Sequence, residues 1–189
     1  MSKESEPEPS GLEIAICGIG CHLPGAQGPQ AFWDNLRAGV ESIRDLTDEE
    51  LRAAGVPEET LRRPDYVKRG VLLEDMESFD AEFFGLSPKE AAIMDPQHRH
   101  FLEVSWEALE DAGCIPEKLD GSIGVFAGCG MGAYFAFNLL SNRELVEDVG
   151  LFLLRHTGND KDFLATRVSY CLNLSGPSVS VQTQSLIHI

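Results

Sequence analysis

Cysteine and histidine are the residues of this sequence whose side chains could act as nucleophiles, bases or metal ligands. The chain of 189 residues contains five cysteines. They are Cys17, Cys21, Cys114, Cys129 and Cys171. Zinc ribbons and disulfide frameworks depend on paired Cys-x-x-Cys spacing, and this scattered set supports neither. Most of these cysteines have apolar neighbours, which predicts small buried hydrophobic side chains in a reducing compartment.

The histidines do not follow a known metal or acid–base motif. His98 and His100 are two residues apart on a predicted helix, so their rings point to different sides. A chelating pair on a helix needs a spacing of about three or four residues. We therefore expect a structural or surface role for both. His22 and His156 occur alone in predicted loops, where we expect them to be solvated.

Four carboxylates lie on one face of a long predicted helix. They are Glu103, Glu107, Glu110 and Asp111. Paired carboxylates do acid–base chemistry only in a cleft that shifts their pKa values. These residues face away from the apolar stripe of Leu102, Trp106 and Leu109. The pattern therefore predicts a solvated helix face and no acid–base site.

Two glycine-rich segments resemble nucleotide-binding loops only in part. The segment at 18–23 has Leu23 where a dinucleotide fingerprint needs its third glycine, and no helix follows directly. The segment at 128–132 follows a predicted strand but lacks the lysine and hydroxyl residues of a phosphate loop. We interpret both as tight turns packed against backbone, and we predict no nucleotide site.

The elements that must position these residues alternate between strands and helices. A buried strand is predicted at 12–17 and a second strand at 122–127. The strict alternation of apolar and polar residues at 178–183 predicts a third strand, with two unlike faces. Helices are predicted from Pro29 to Gly39, after a Ser87 capping box, from Asp95 to Gly113, and after an Asn159 cap. Residues 40–70 predict surface loops and short helices. Interleaved strands and helices predict an α/β layered fold.

Composition restricts the possible partners and the location of the chain. Fifteen basic residues face 31 acidic ones, a formal net charge of −16. Such a chain repels phosphate backbones and anionic lipid, so we expect neither nucleic acid nor membrane binding. No apolar run approaches the ~20 residues that span a bilayer. Residues 1–11 predict a disordered acidic tail without signal-peptide features, and we expect a cytoplasmic protein.

Eight strings from the chain resemble the β-ketoacyl synthase (ketosynthase) domains of modular type I polyketide synthases, in the family's order and with its spacing. They are IAICGIGC (14–21), FWDNLRAG (32–39), FDAEFFGLSPKEA (79–91), MDPQHR (94–99), WEALEDAG (106–113), GVFAG (124–128), GNDKDFLATRVSY (158–170) and GPSVSVQT (176–183). On this resemblance, residues 12–189 are expected to be the N-terminal part of a ketosynthase domain.

The resemblance implies a thiolase-like layered fold of two similar α/β halves, of which this chain is the N-terminal half. It implies a homodimer and a decarboxylative Claisen condensation. In that reaction a cysteine takes an acyl group from the phosphopantetheine arm of an acyl carrier protein, and two histidines assist decarboxylation of a malonyl-type extender. No bound cofactor is expected. The carrier protein and the C-terminal half of the domain are the expected partners.

The nucleophile position is where the sequence departs from the family. Family members follow the strand at 178–183 with Ala-Cys-Ser, whereas this chain continues with Gln184 and Ser185. Without a gap, Ser185 falls on the cysteine. If the alignment allows for one deleted residue, Gln184 falls on the cysteine position, as in loading modules that only decarboxylate. A third interpretation, which we favour, is that the last residues are foreign, from a frameshift, contig edge or cloning junction. His188 is not assigned as a catalytic histidine, because its stub is too short for a helix.

The resemblance thus predicts a domain truncated at the nucleophile turn. We expect the 189 residues to be inactive alone, because the catalytic cysteine and both histidines are missing. The alternatives are a glutamine-type malonyl decarboxylase, or a non-catalytic fragment that dimerises or binds the carrier protein.

Overall fold

The structure, a computed structural model, describes residues 11–182. All but Gly11 of the predicted tail at 1–11, and the predicted nucleophile turn at 184–185, lie outside the described residues. The strands are β1 (His22–Leu23), β2 (Ala26–Gln27), β3 (Arg44–Asp45), β4 (Arg69–Gly70), β5 (Val125–Ala127) and β6 (Ser178–Ser180). The α-helices are α1 (Pro29–Ala38), α2 (Asp48–Ala53), α3 (Glu58–Leu61), α4 (Pro88–Ile93), α5 (Pro96–Asp111), α6 (Arg143–Val149), α7 (Leu151–His156) and α8 (Leu164–Cys171). Within residues 11–182, no helix has the length and apolar character needed to cross a bilayer.

The predicted strand at 12–17 does not form. Residues 12–21 are neither helical nor part of a strand, and Ile14 and Ile16 are 95% and 82% exposed. The chain makes close contact with the rest of the molecule only slightly later, where Gly18 and Gly20 lie against the backbone of α5. A Cβ on Gly18 would be 2.2 Å from the carbonyl oxygen of Ala108. The first glycine-rich segment therefore packs against backbone, as predicted.

The charged region at 40–70 forms a small surface unit. Strand β3 pairs antiparallel with β4, and Thr47 and Glu50 open α2 through a capping box. The Arg44 guanidinium and the Thr47 backbone N–H hold the pKa of Glu50 at about 2. Lys68 Nζ is 2.5 Å from Asp48 Oδ1. Each exposed ion pair of this kind contributes little to stability. The helix cap and the short β pairing therefore also help to stabilise the unit.

The best-defined helix starts are the ones predicted from the sequence. At α4, Ser87 Oγ accepts a hydrogen bond from the Glu90 backbone N–H, and the Glu90 carboxylate accepts one from the Ser87 N–H. At α5, Asp95 Oδ1 accepts a bond from the Gln97 backbone N–H. These side chains satisfy N–H groups that have no partner inside the helix. Helix α5 then runs for 16 residues.

The main core lies between α5, α8 and the parallel pair β5–β6. Its buried residues are Met94, Leu102, Val125, Ala127, Leu164, Ala165, Val168 and Leu172. Strand β5 turns Val125 and Ala127 into this core, whereas Phe126 is 68% exposed. Its register partner Val179, on β6, is 41% exposed. Among residues 11–182, helices therefore cover one face of this sheet and leave the other open.

A second, smaller core holds the helices that follow β5. Ile93, Leu139 and Leu154 are its buried residues, and the π-type turn Phe135–Leu139 and helices α6 and α7 pack around it. The prediction that Asn159 caps the next helix is wrong. Asp160 accepts a hydrogen bond from the Asp162 N–H, opening the 3₁₀ turn Lys161–Phe163 that continues into α8.

Asn159 instead joins two helices. Its Nδ2 donates to the carbonyl oxygens of Ile93, at the end of α4, and of Leu154, in α7, both at 2.6 Å. The residue is only 8% exposed. The amide therefore satisfies two backbone acceptors that water does not reach easily.

Replacing Asn159 with alanine is expected to lower the free energy of unfolding by about 2 kcal/mol or more, because each buried group left without a partner costs about 1–3 kcal/mol. Urea denaturation followed by circular dichroism measures this loss. The matched control is Asn138→Ala, at an exposed position, for which we expect a change within about 0.5 kcal/mol. Equal losses in the two variants would contradict the bridging role.

Candidate functional site

A cavity of about 1190 Å³ opens at the carboxyl ends of β5 and β6. Its wall consists of residues 126–132 together with Lys161, Val181 and Gln182. In open α/β sheets, ligands bind in the crevice outside the carboxyl ends of parallel strands. The parallel pairing of β5 with β6 thus places the cavity where this architecture ordinarily holds a substrate.

The glycine-rich segment at 128–132 forms one wall of the cavity through its backbone. A Cβ on Gly128 would be 2.3 Å from the carbonyl oxygen of Val181, so only glycine allows β5 and the end of β6 to come this close. The Gly130 N–H donates to Gln97 Oε1 at 2.8 Å, which ties the wall to the first turn of α5. The segment therefore packs closely against neighbouring backbone, as predicted, and it forms part of the cavity wall.

The end of β6 is held at the mouth of the cavity. The Val181 N–H donates to the Ala127 carbonyl oxygen at 2.7 Å. Ser180 Oγ donates to the carbonyl oxygens of Lys161 and Asp162, at 3.3 and 3.1 Å. The chain then passes Gln182, which lines the cavity, towards residues 184–185. Gln184 and Ser185, the residues predicted at the nucleophile position, lie outside the described residues.

A buried histidine and a cysteine meet at the cavity wall. His98 is 1% exposed, and its Nε2 is 4.0 Å from Cys129 Sγ. Burial lowers the pKa of His98 to about 4, so the ring is neutral at pH 7. Burial also raises the pKa of the Cys129 thiol. Since the thiolate is the reactive form of cysteine, this neutral pair does not make Cys129 an activated nucleophile.

Comparison with known proteins decides the family. Residues 12–185 match the family model described as the N-terminal domain of beta-ketoacyl synthase. The chain belongs to the β-ketoacyl synthase family. The matched range contains the glycine-rich wall, the parallel strands, and both residues at the predicted nucleophile position.

Two relatives of this β-ketoacyl synthase chain are polyketide synthases. It is 50% identical over 179 residues to one component of the phenolphthiocerol/phthiocerol polyketide synthase of Mycobacterium tuberculosis (strain CDC 1551 / Oshkosh), covering 90% of this chain and 12% of that protein. It is 37% identical over 173 residues to polyketide synthase PksN of Bacillus subtilis (strain 168), covering 90% of this chain and 3% of that protein.

A solved structure shows the same architecture. Ketosynthase twelve from the bacillaene polyketide synthase in Bacillus amyloliquefaciens superposes with a TM-score of 0.74 at 37% identity, covering 89% of this chain and 29% of that one. The fold of the β-ketoacyl synthase chain is therefore thiolase-like, as predicted. The chain spans about an eighth or less of the curated relatives named above and under a third of the solved ketosynthase.

The other histidines of the β-ketoacyl synthase chain have structural contacts. His22 is half-buried against His100, with ring centroids 5.1 Å apart, so the prediction of a solvated loop residue is wrong. His100 Nδ1 is 3.0 Å from Glu103 Oε2, and its Nε2 is 2.9 Å from the Met76 carbonyl oxygen. These contacts agree with the structural role expected of His100. His156 ends α7 instead of lying in a loop, and its ring centroid is 4.3 Å from that of Phe152.

The prediction of a solvated carboxylate face is confirmed except at one residue, and the prediction for the cysteines needs correction. Glu107, Glu110 and Asp111 are exposed, although Asp111 also accepts a hydrogen bond from the Ile19 N–H at 2.9 Å. Glu103 is half-buried and pairs with His100. Cys17 is exposed, and the other four cysteines are half-buried instead of buried. Burial of these side chains depends on neighbouring layers, which apolar sequence neighbours do not supply.

Sequence reasoning missed the contacts that build the cavity wall. Gln97 and Gly130 are 33 residues apart, and His98 and Cys129 are 31 apart. The one local signal was the Asp95-Pro96 helix start, which marks 97–98 as first-turn residues. It did not reveal which segment that turn would meet, because the meeting depends on how α5 packs beside β5.

Proposed function

We propose that this chain supplies the N-terminal half of a polyketide β-ketoacyl-[acyl-carrier-protein] synthase domain. The observation that carries the proposal is the parallel pair β5–β6, which leads the chain past Gln182 and the cavity towards residues 184–185. In the family this is the strand before the nucleophile turn. A helix N-terminus after such a turn favours a thiolate and the oxyanion formed from a thioester.

The proposed reaction has two covalent steps. A cysteine thiolate attacks the carbonyl carbon of an acyl thioester, and the phosphopantetheine thiol of the carrier protein takes up a proton and leaves. A malonyl-type extender then loses carbon dioxide. Its carbanion attacks the acyl-enzyme carbonyl, which forms the carbon–carbon bond and releases the cysteine thiolate. The residues of this chain contribute the glycine-rich wall at 128–132 and the end of β6.

In this proposal the catalytic cysteine and the two catalytic histidines do not come from residues 11–182. The sequence has no cysteine after Cys171 and carries Gln184 and Ser185 at the nucleophile position. A serine hydroxyl is a weak nucleophile without an adjacent base. We therefore propose that the 189 residues alone do not condense acyl groups.

The open face of the β5–β6 sheet supports the C-terminal half of the domain as partner. Phe126 and Val179 face outwards side by side, and Met131, which lines the cavity with Phe126, is 76% exposed. Exposed apolar surface of this kind marks a contact that another layer is expected to cover. A homodimer and an acyl carrier protein complete the proposed assembly, with substrates carried on phosphopantetheine and without a bound cofactor.

Intact-mass analysis tests the proposal. The 189-residue chain, incubated with an acyl thioester, is expected to remain unmodified at Ser185. A hybrid, in which residues 184–189 are replaced by the corresponding Ala-Cys-Ser turn and C-terminal half of a related ketosynthase, is expected to acquire one acyl group on that cysteine. The control is the same hybrid with that cysteine changed to alanine. An adduct mapped to Ser185, or a folded hybrid that stays unmodified, would contradict the proposal.

Gln184 supports one alternative, a decarboxylase that releases carbon dioxide from malonyl carrier protein without condensation. Decarboxylation by the 189-residue chain, lost in the variant Gln184→Ala, would favour that alternative. Recovery of an Ala-Cys-Ser continuation in another reading frame after codon 183 would instead favour a foreign tail on an ordinary ketosynthase.

A further inference from the structure

The contact between Cys129 and His98 is not explained by the proposed condensation. Cys129 lines the cavity and is half-buried, so it can be reached from solvent. His98 lies behind it at 1% exposure, with Nε2 directed at the thiol and with Nδ1 lacking a hydrogen-bond partner among the described residues. The thiol is therefore the polar partner that the described residues offer to this ring, and a buried ring nitrogen without a partner is uncommon.

We propose that Cys129 Sγ and His98 Nε2 bind one soft monovalent cation of the copper(I) class between them. Binding replaces the thiol proton, which leaves to solvent through the cavity, and no electron is transferred. The product is a cation held by one thiolate and one neutral imidazole.

The separation of the two atoms fits a single ion. Thiolate sulfur and imidazole nitrogen lie about 2.3 Å and 2.0–2.1 Å from a zinc ion, so two such ligands on opposite sides of one ion are about 4.3–4.4 Å apart. Sγ and Nε2 are 4.0 Å apart. An ion of similar size therefore fits between them at a wide angle, with little movement of either side chain.

The number of donors selects the kind of ion. Among residues 11–182, no group of three or more His, Cys, Asp or Glu side chains is arranged to hold a metal. Structural zinc takes four ligands, so two donors suit an ion that accepts low coordination. The nearby Asp95 carboxylate already caps α5 by accepting from the Gln97 N–H. Thiolate sulfur also prefers soft ions such as copper(I).

The charge of the site favours a monovalent ion. One thiolate, one neutral imidazole and one monovalent cation sum to zero. A divalent ion would add one more positive charge beside the fully buried His98, where the carboxylates of Asp95 and Asp160 are already opposed by Arg167 and, at Cys129, by Lys161. Burying a charge without compensation costs several kcal/mol, so the site discriminates against divalent ions through desolvation.

Copper(I) titration against a chromophoric chelator, under anaerobic reducing conditions, tests the site. The parent is the 189-residue chain carrying Cys17→Ser, Cys21→Ser, Cys114→Ser and Cys171→Ser, in which Cys129 is the only thiol. We expect one ion per parent chain. When Cys129→Ser is introduced into the parent we expect no bound ion, and when His98→Gln is introduced we expect at least tenfold weaker binding. The control His100→Gln removes the other imidazole of α5 and is expected to bind like the parent.

X-ray absorption of the copper-loaded parent provides a second readout, with one sulfur and one nitrogen neighbour expected. Two sulfur neighbours, unchanged affinity in folded His98→Gln, or full binding in Cys129→Ser would each overturn the proposal. Circular dichroism establishes that each variant is folded. If the parent does not fold, the wild-type chain and its Cys129→Ser variant replace it, and an equal number of tightly bound ions in the two would refute the site.

Discussion

Replacing Leu102 with alanine is expected to lower the free energy of unfolding by about 2–5 kcal/mol, the range for truncating a fully buried leucine. Leu102 is 0% exposed and belongs to the core between α5, α8 and the β5–β6 sheet. The loss combines the removed apolar contacts with the cavity left among groups that relax only partly. Urea denaturation of the 189-residue chain measures it as a lower transition midpoint with an unchanged slope.

Two control variants separate packing from other causes. Leu102→Met nearly conserves volume and is expected to cost less than about 1.5 kcal/mol. Leu119→Ala removes the same atoms from a side chain that is 47% exposed, and we expect a change within about 0.5 kcal/mol. A loss for Leu119→Ala as large as that for Leu102→Ala would show that the core is not centred on α5.

The variant Gly20→Ala is expected to lower the free energy of unfolding by about 3 kcal/mol, the upper end of the usual range for overpacking. A Cβ at Gly20 would be 2.3 Å from the Val104 carbonyl oxygen and 3.0 Å from the Ala108 nitrogen. Both are backbone atoms of α5 and cannot rotate away. The segment at 18–20 must therefore separate from the helix, which also breaks the hydrogen bond between the Ile19 N–H and Asp111.

Hydrogen exchange locates this effect, because amides 18–23 are expected to exchange faster in Gly20→Ala while those of α8 change less. The matched control is Gly132→Ala. A Cβ there has only ordinary contacts, 3.6 Å from the Asn159 carbonyl oxygen and 3.8 Å from Phe135 Cβ. We expect this control to stay within about 1 kcal/mol of the wild type. Unchanged exchange at 18–23 in Gly20→Ala would contradict the close contact with α5.

Local signals in the sequence predicted the helices better than the strands. Ser87 and Asp95 cap α4 and α5 as expected, because a cap needs only a side chain and N–H groups within one turn. The predicted strand at 178–183 is a strand only at Ser178–Ser180 within the described residues. The predicted strand at 12–17 does not form. Strands require partners from elsewhere in the chain, and a run of apolar residues does not supply them.

The nucleophile position stays a prediction, because Gln184 and Ser185 lie outside the described residues. The resemblance places it after the strand that became β6, and the cavity lies at the end of that strand. It did not predict that Gln97 would hold the Gly130 backbone or that His98 would face Cys129. Both contacts depend on the packing of α5 beside β5.

The sequence by itself determined the family, the helix starts and the departure from the family at Gln184 and Ser185, because these follow from neighbouring residues and their order. Only the tertiary structure showed which cysteine contacts a histidine. It also showed that the backbone of α5 leaves no room for a Cβ at Gly18 or Gly20. Ile19 and its partner Asp111 are 92 residues apart. A contact over such a separation is set by how helices and sheet pack together, and no local pattern records it.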